Sequence, residues 1–187
     1  KIMNNSQQEK IEKMIQEVLA LSMIVKNDYP DYKEWYTKVQ VPGLYTNERN
    51  IIIAHINDKI VGFVSLKKTP TEKKICTFYV EKNFRRNQIG TILVEKAIEF
   101  LEESRPLITI PMDKLNEFIR IANKYNWEIT DIKENLYRTN TPEVIVNGII
   151  TDTNQSLTQE KTLKKVYKIY KIERIKLRRE MGMIFQN

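Results

Sequence analysis

The chain lacks the residues on which disulfide-bonded and metal-binding proteins depend. It has one cysteine and one histidine among 187 residues, so an internal disulfide is impossible and a zinc cluster cannot be assembled. Five glycines and six prolines are too few for a low-complexity linker. No apolar run approaches the roughly 20 residues of a transmembrane helix, and the first residues lack the apolar core of a secretory signal. We expect a globular, cytoplasmic protein with no metal and no membrane span.

Positive charge is concentrated near the carboxyl end. The chain carries 31 Lys and Arg against 24 Asp and Glu, a net charge of +7. Residues 151–187 contain nine of the basic and four of the acidic side chains, which leaves 22 and 20 for residues 1–150. We predict a nearly neutral domain over residues 1–150 and a basic, helical extension over residues 151–187. The extension could dock on its own domain, form a homodimer, or bind nucleic acid, an acidic protein or a membrane surface.

The order of predicted elements is that of an α+β domain with a mixed sheet. Helical periodicity covers residues 7–26 and a shorter stretch at 32–38. Two β-rich segments, 50–56 and 60–66, flank a turn and predict a hairpin. The remaining predictions are strands at 75–80, 106–111, 127–132 and 143–150, a helix after each of the first two, a loop at 41–44 and an extended segment at 136–138.

The most informative segment joins a strand that ends at Val80 to a helix that begins near Gln88. A loop with two cations, Arg85 and Arg86, lies between them. A helix N-terminus presents free N–H groups and the positive end of the helix dipole, so it favours phosphate groups. Gly90 has no Cβ that would hold a phosphate away from the backbone. The segment therefore predicts a pyrophosphate site.

This segment resembles motif A of the GNAT-type N-acetyltransferases, where a strand leads through an acidic-Pro-x-aromatic-Arg turn into Arg-x-x-Gly-x-Gly/Ala. Arg85 stands at the first position of that signature and Gly90 at its last. Lys82 replaces the usual Pro, and Gln88 replaces the first Gly. The resemblance implies a GNAT fold with acetyl-CoA as cosubstrate. It assigns cofactor binding to Phe78, Tyr79, Val80, Arg85, Arg86, Asn87, Gln88, Ile89, Gly90 and Thr91.

The resemblance also implies a mechanism, in which an amine attacks the thioester directly and the backbone N–H of Val80 stabilises the oxyanion. The family's acid is a Tyr four residues before a Gly-Phe pair. Asn126-Trp127 stands at that pair, and the count back from it reaches Ala122. The expected Tyr is missing, so Tyr125 and Tyr137 become the candidate acids.

Each candidate for the catalytic base or for the acceptor pocket could also have a purely structural role. His55, Glu72 and Glu81 are the candidate bases, and a structural or solvated role explains each of them as well. Three aromatic residues in the region of the family's acceptor pocket could instead anchor the N-terminal helices, namely Trp35, Tyr36 and Tyr45. A narrower resemblance, to small acetyltransferase-like proteins of bacterial mobile elements, is carried by residues 106–110, 124–128 and 147–148.

Three functional hypotheses remain open at this point. The first is an N-acetyltransferase that transfers the acetyl group of acetyl-CoA to an unidentified primary amine. The second is a nucleic-acid-linked version of that enzyme, acting for example on aminoacyl-tRNA through the basic extension. The third is a non-catalytic interaction protein that keeps the GNAT fold.

Overall fold

In a computed structural model of the protein, the structure describes residues 5–150. The chain divides into two compact units, Lys1–Glu103 and Ser104–Asn187. The predicted basic extension, residues 151–187, lies outside the described residues, so its helix and its boundary stay predictions. In the described part of the chain, no helix combines the length and the apolar character needed to cross a bilayer.

The first unit begins with helical segments that pack on one face of a sheet. Helix α1 spans Asn5–Ser22 and continues as a 3-10 turn, Met23–Asn27. Helix α2 spans Tyr32–Trp35 and is followed by a π-helical turn, Tyr36–Gln40. The predicted helices at 7–26 and 32–38 are thus confirmed. Their apolar side chains form one core with the sheet, through Ile15, Val18, Val25, Tyr32, Tyr36, Ile51, Ile60 and Phe63.

The loop predicted at residues 41–44 is wrong, because Val41–Tyr45 forms a short helix, α3. Pro42 lies in its first turn, directly after the π-helical turn in which the Val41 N–H donates to the Tyr36 carbonyl. Gly43 packs against the side chain of Arg49, and a Cβ at this glycine would lie only 2.6 Å from Arg49 Cδ. Both residues that suggested a loop are therefore accommodated in a helix by their position.

Three antiparallel strands follow, β1 (Arg49–Ile56), β2 (Lys59–Lys68) and β3 (Lys73–Val80). Asn57 and Asp58 join the first two with φ of 49° and 60°, which is the twist that a two-residue hairpin requires.

Strand β2 is covered on both faces. Phe63 packs in the core under the N-terminal helices, whereas Gly62 faces Leu93 of helix α4, Ile89–Leu101. Successive residues of a strand point to opposite faces, so these two neighbours show that each face carries its own layer of helix. The burial of β2 on both sides explains why its sequence does not alternate between apolar and polar residues.

The second unit contains strands β4 (Leu107–Pro111), β5 (Ile129–Lys133) and β6 (Glu143–Val146) and helix α5 (Leu115–Lys124). Strand β6 lies between the other two and is antiparallel to both. The buried face of α5 carries the residues at helical spacing that predicted it, Leu115, Phe118, Ile119 and Ala122.

The extended segment predicted at 136–138 is wrong, because these residues form bends within a loop between β5 and β6. Asn135 and Asn140 adopt positive φ of 58° and 61°, and the Asn135 side chain accepts a hydrogen bond from the Asn140 backbone N–H at 3.0 Å. Asparagine tolerates this backbone region and bonds locally in this way. Tyr137 is therefore a loop residue, 41% exposed.

Candidate functional site

At the carboxyl end of β3, alternate backbone N–H groups point towards β2 and away from it. The Glu81 N–H donates to the Val61 carbonyl at 2.8 Å, and Val80 pairs with Gly62. In an antiparallel pair the direction of the N–H groups alternates along the strand. The N–H groups of Val80 and Phe78 therefore point away from β2, on the edge of β3 that β2 leaves uncovered. This is the direction that the predicted oxyanion donor needs.

The loop after β3 is tied back to the strand by Arg85. A 3-10 turn, Lys82–Phe84, follows the strand, and the Phe84 N–H donates to the Glu81 carbonyl at 2.9 Å. The Nε–H of Arg85 donates to the carbonyl of Val80 at 3.0 Å. Arg85 thus has a structural role that the sequence did not show, because it closes the turn that brings the chain from β3 to α4.

Two residues of this loop adopt the left-handed backbone conformation. Arg86 has φ 66° and Gln88 has φ 62° with ψ −3°, the latter directly before the first residue of α4. A residue with a Cβ is disfavoured here by about 1–2 kcal/mol. Gln88 is the position at which the motif A signature carries its first glycine, and its left-handed backbone is one that glycine adopts without this cost.

The N-terminus of α4 presents a run of backbone donors. The first N–H of this region to bond within the helix is that of Ile92, which donates to the Gln88 carbonyl at 3.0 Å. Within residues 5–150, no backbone carbonyl accepts a hydrogen bond from the N–H groups of residues 86–91. Such donors, together with the positive end of the helix dipole, form an anion-binding arrangement. The Ile89 side chain is buried, so this residue contributes to the arrangement through its backbone.

The two acidic side chains at the end of β3, Tyr79 and Glu81, carry no unbalanced negative charge. Lys59 forms an ion pair with Glu81 at 3.0 Å and lies 5.9 Å from the centre of the Phe84 ring. Burial raises the pKa of the Tyr79 phenol, and the positive charge of Arg85 opposes that rise. The phenol is therefore protonated at neutral pH, and the carboxylate of Glu81 is balanced by its lysine.

The two candidate acids belong to the second unit. Tyr125 caps the C-terminus of α5, with its ring 5.4 Å from the ring of Trp127. Tyr137 lies in the β5–β6 loop. Asn126 has φ 53°, and the Trp127 N–H donates to the Ala122 carbonyl at 2.8 Å, a helix end that usually carries glycine. Asn126 thus adopts, at the position of the family's Gly, a conformation that glycine favours, while the catalytic role of either tyrosine stays a prediction.

The candidate bases are spread over the first unit. Glu72 precedes β3 and pairs with Lys67, and the length of the strand puts it roughly 25 Å from Val80. His55 is exposed near the end of β1. Glu81 is adjacent to Val80 and paired with a lysine. Of the three candidate bases, only Glu81 therefore lies next to the carboxyl end of β3.

The N-terminal aromatic residues divide between the core and the surface. Tyr36 is fully buried, and its hydroxyl donates to the Ile15 carbonyl at 3.1 Å. The Arg49 guanidinium lies over the Trp35 ring at 5.6 Å. Tyr45 is 51% exposed. The structural explanation of Tyr36 as an anchor of the helices is therefore confirmed.

Comparison with known proteins agrees with this geometry. The model of the acetyltransferase (GNAT) family matches residues 13–110, just over half of the chain. Comparison with curated protein sequences finds no significant match. A candidate GNAT acetyltransferase from Desulfovibrio desulfuricans is similar in structure, with a TM-score of 0.56 and 11% identity over 71% of this chain and 89% of the other.

Two further structures were determined with a cofactor. The PaiA N-acetyltransferase of Thermoplasma acidophilum, in complex with coenzyme A, has a TM-score of 0.53 and 13% identity over 75% of this chain and 94% of the other. A candidate streptothricin acetyltransferase of Bacillus anthracis, in complex with acetyl-CoA, has a TM-score of 0.51 and 16% identity over 60% and 70%. At these identities the structures show a common fold, and the narrower likeness to mobile-element proteins stays a prediction. The chain belongs to the GNAT family of acetyltransferases.

Proposed function

We propose that the protein transfers an acetyl group from acetyl-CoA to a primary amine and that it binds the cofactor's pyrophosphate at residues 85–91. The observation that carries the proposal is the run of six backbone N–H groups, from Arg86 to Thr91, in the loop before α4 and in its first turn, which have no carbonyl partner among the described residues. A diphosphate is the group for which such donors are suited. Two of the structures to which the chain is similar hold coenzyme A or acetyl-CoA.

The residues of the loop fit a diphosphate in charge and in shape. Lys82 and Arg86 are exposed cations on the loop, and the nearby carboxylate of Glu81 is neutralised by Lys59. Gln88 has a left-handed backbone at the position where the family's signature carries a glycine, the residue that adopts this conformation most readily. Cationic side chains and backbone donors together make charge-assisted hydrogen bonds, which are the stronger kind.

Acetyl-CoA supplies an activated acetyl thioester, and this chain positions the groups around it. The N–H of Val80, directed away from β2, is suited to stabilise the oxyanion. An alkylamine titrates near ~10.4 and a thiol near ~8.5, so deprotonating the amine matters more at neutral pH than protonating the thiolate. Glu81 is the candidate base that lies next to Val80 in the chain, although Lys59 holds its carboxylate in an ion pair, and Tyr125 and Tyr137 stay candidate acids.

Calorimetric titration of the full chain with acetyl-CoA tests the proposal. We expect binding to the wild type and about tenfold weaker binding to Arg86→Ala, since one charge-assisted contact is lost. Lys13→Ala removes an equal charge from an exposed position on α1 and should bind like the wild type. No binding at millimolar acetyl-CoA would refute the proposal. A screen of amines, polyamines, peptides and aminoacyl-tRNA for release of coenzyme A then identifies the acceptor.

A link to nucleic acid remains a second candidate, favoured by the charge of +5 over residues 151–187. Neutralising phosphates with Lys and Arg makes affinity fall with salt. Deletion of residues 155–187 should therefore weaken RNA binding and flatten its salt dependence. Unchanged RNA affinity and salt slope after the deletion would dismiss this candidate.

A further inference from the structure

A primary ammonium group rests against a carboxylate just beyond the end of β3. The Lys59 Nζ donates to Glu81 Oε1 at 3.0 Å and lies 5.9 Å from the centre of the Phe84 ring. Lys59 is the first residue of β2, and Glu81 and Phe84 belong to the loop that follows Val80. A carboxylate together with an aromatic ring attracts a cation. We call the carboxylate of Glu81 and the ring of Phe84 the ammonium site.

Only one of the two oxygens of this carboxylate is in use. Oε1 accepts a hydrogen bond from Lys59, whereas Oε2 is buried and accepts none from residues 5–150. Buried polar atoms in proteins are nearly always hydrogen-bonded, and a buried charged group that lacks its donor destabilises the structure. The second oxygen of Glu81 therefore indicates that the ammonium site takes a further donor.

The ammonium site can be reached from solution. The side chains of Lys59 and Glu81 are 62% and 24% exposed, and residues 85–88 of the same loop are exposed. An ion pair of this exposure contributes little free energy, so the lysine can leave the carboxylate at small cost. Its departure opens the carboxylate to a cation from solution.

The position of Glu81 is fixed by its backbone. Its N–H donates to the Val61 carbonyl at 2.8 Å, and its carbonyl accepts from the Phe84 N–H at 2.9 Å. These two bonds hold the residue on both sides of its Cα, directly after Val80. A site that is already formed binds more tightly, because little conformational freedom is lost on binding. The ammonium site is therefore preformed and lies beside the proposed oxyanion donor.

The charge of the ammonium site and the shape of its present occupant select the kind of ligand. A carboxylate repels anions and favours a donor that carries positive charge. Lys59 shows that an unbranched alkyl chain ending in a primary ammonium fits against both Glu81 and Phe84. Such an ammonium carries three N–H donors. A lysine side chain, a polyamine and a simple alkylamine all present this group.

We propose that the ammonium site binds the cationic amine of the acceptor and that Lys59 competes for it in the free protein. The inference rests on the proposed function and narrows its acceptor to primary alkylamines. An alkylamine titrates near ~10.4, so at neutral pH it must lose a proton before its nitrogen can attack a thioester. Glu81 holds the ammonium and accepts that proton. The carboxylate that Lys59 occupies thus becomes the base once the acceptor has replaced the lysine.

Kinetics with butylamine test the ammonium site, because butylamine reproduces the lysine side chain from Cβ to Nζ. At saturating acetyl-CoA, Lys59→Met should lower KM for butylamine about two- to fivefold, since a competing exposed ion pair is removed. Glu81→Gln should instead lower kcat/KM about ten- to hundredfold, since a hydrogen bond to a charged group is lost. An ion pair with a purely structural role predicts effects of the same sign for both changes.

Lys67→Met and Glu72→Gln are the matched controls. These two residues form an ion pair of the same types beside the first residues of β3, with 2.5 Å between Nζ and Oε2. Neither change should alter the kinetics with butylamine by more than about twofold. Effects of the same sign in Lys59→Met and Glu81→Gln, or no effect of either, would overturn the proposal.

A titration without cofactor separates this inference from the proposed function. Butylamine added to the isotope-labelled full chain should shift the backbone N–H signals of Glu81 and Phe84 in NMR spectra, and Glu81→Gln should abolish the shifts. No shift at millimolar butylamine would overturn the ammonium site and leave water as the donor to Oε2. Shifts without acetylation of butylamine would keep the binding site and refute its role for the acceptor. Failure to bind acetyl-CoA would refute the proposed function, while the shifts would still decide the ammonium site.

Discussion

Replacing Gln88 by glycine should stabilise this protein, although glycine usually destabilises a folded chain. Gln88 adopts φ 62° and ψ −3° at the start of α4, and its side chain makes no capping hydrogen bond. The Cβ of an L residue is crowded in this conformation, at a cost of about 1–2 kcal/mol. Glycine removes that cost because it has no Cβ.

The gain is reduced by the unfolded state. A glycine gives the unfolded chain more conformational freedom, which lowers stability by about 0.4–1 kcal/mol. We therefore expect Gln88→Gly to raise the free energy of unfolding by about 0.5–1 kcal/mol. For a chain of this size that corresponds to an increase in Tm of about 1–4 °C. The affinity for acetyl-CoA should be equal or higher, because no donor is lost from the backbone.

Thermal unfolding followed by circular dichroism, with and without acetyl-CoA, measures the effect. Gln88→Ala is the first control, since it keeps the Cβ and should show no comparable gain. Lys96→Gly is the second, because an exposed position inside α4 should lose about 1 kcal/mol. If Gln88→Gly lost as much stability as Lys96→Gly, the left-handed conformation would not be costly at this position and the reasoning would be refuted.

Three further changes test the packing and the pH dependence. Gly62→Ala places a Cβ 2.9 Å from a backbone oxygen and should lower the free energy of unfolding by about 1–3 kcal/mol, measured by denaturant titration. Gly148→Ala should lower it less, because its Cβ meets a flexible side chain at 2.8 Å. Burial raises the pKa of Tyr36 above its ordinary 10.0, so the tyrosine of the unfolded state loses its proton at a lower pH than that of the folded state. Stability should therefore be constant below about pH 10 and fall above it. Tyr36→Phe should reduce that fall, which a comparison of denaturation midpoints at neutral and alkaline pH measures. Trp127→Ala empties a fully buried site and should cost about 3–5 kcal/mol by the same titration, and a loss below about 1 kcal/mol would contradict the burial.

The local sequence predicted secondary structure correctly where a short pattern, such as a turn or a helical repeat, decides it. The hairpin at Asn57-Asp58 and the helix after Gln88 were predicted because turn residues and helical periodicity act over a few positions. The same local rules failed at residues 41–44, where packing of Gly43 on Arg49 accompanies a helix. They also failed at Tyr137, where asparagines with positive φ turn the chain into a loop.

The candidate site was predicted in part, for a similar reason. The donors at the start of α4 follow from its position after a strand, so they could be read from residues 80–91. The bond from Arg85 to the Val80 carbonyl could not, because nothing in the sequence shows which way a long side chain folds. Nor could the left-handed form of Gln88 be read directly, since a glutamine gives no local signal for it.

By itself, the sequence determined most of the helices and strands in this protein and that a basic loop precedes a helix with free donors, because these depend on neighbours within a turn or two. Only the tertiary structure decided that Tyr36 and Phe63 share one core, in which the Tyr36 hydroxyl donates to the Ile15 carbonyl. That meeting depends on the strand register and on how the helices pack on the sheet, and both are set by long-range burial of apolar surface, which no local pattern encodes.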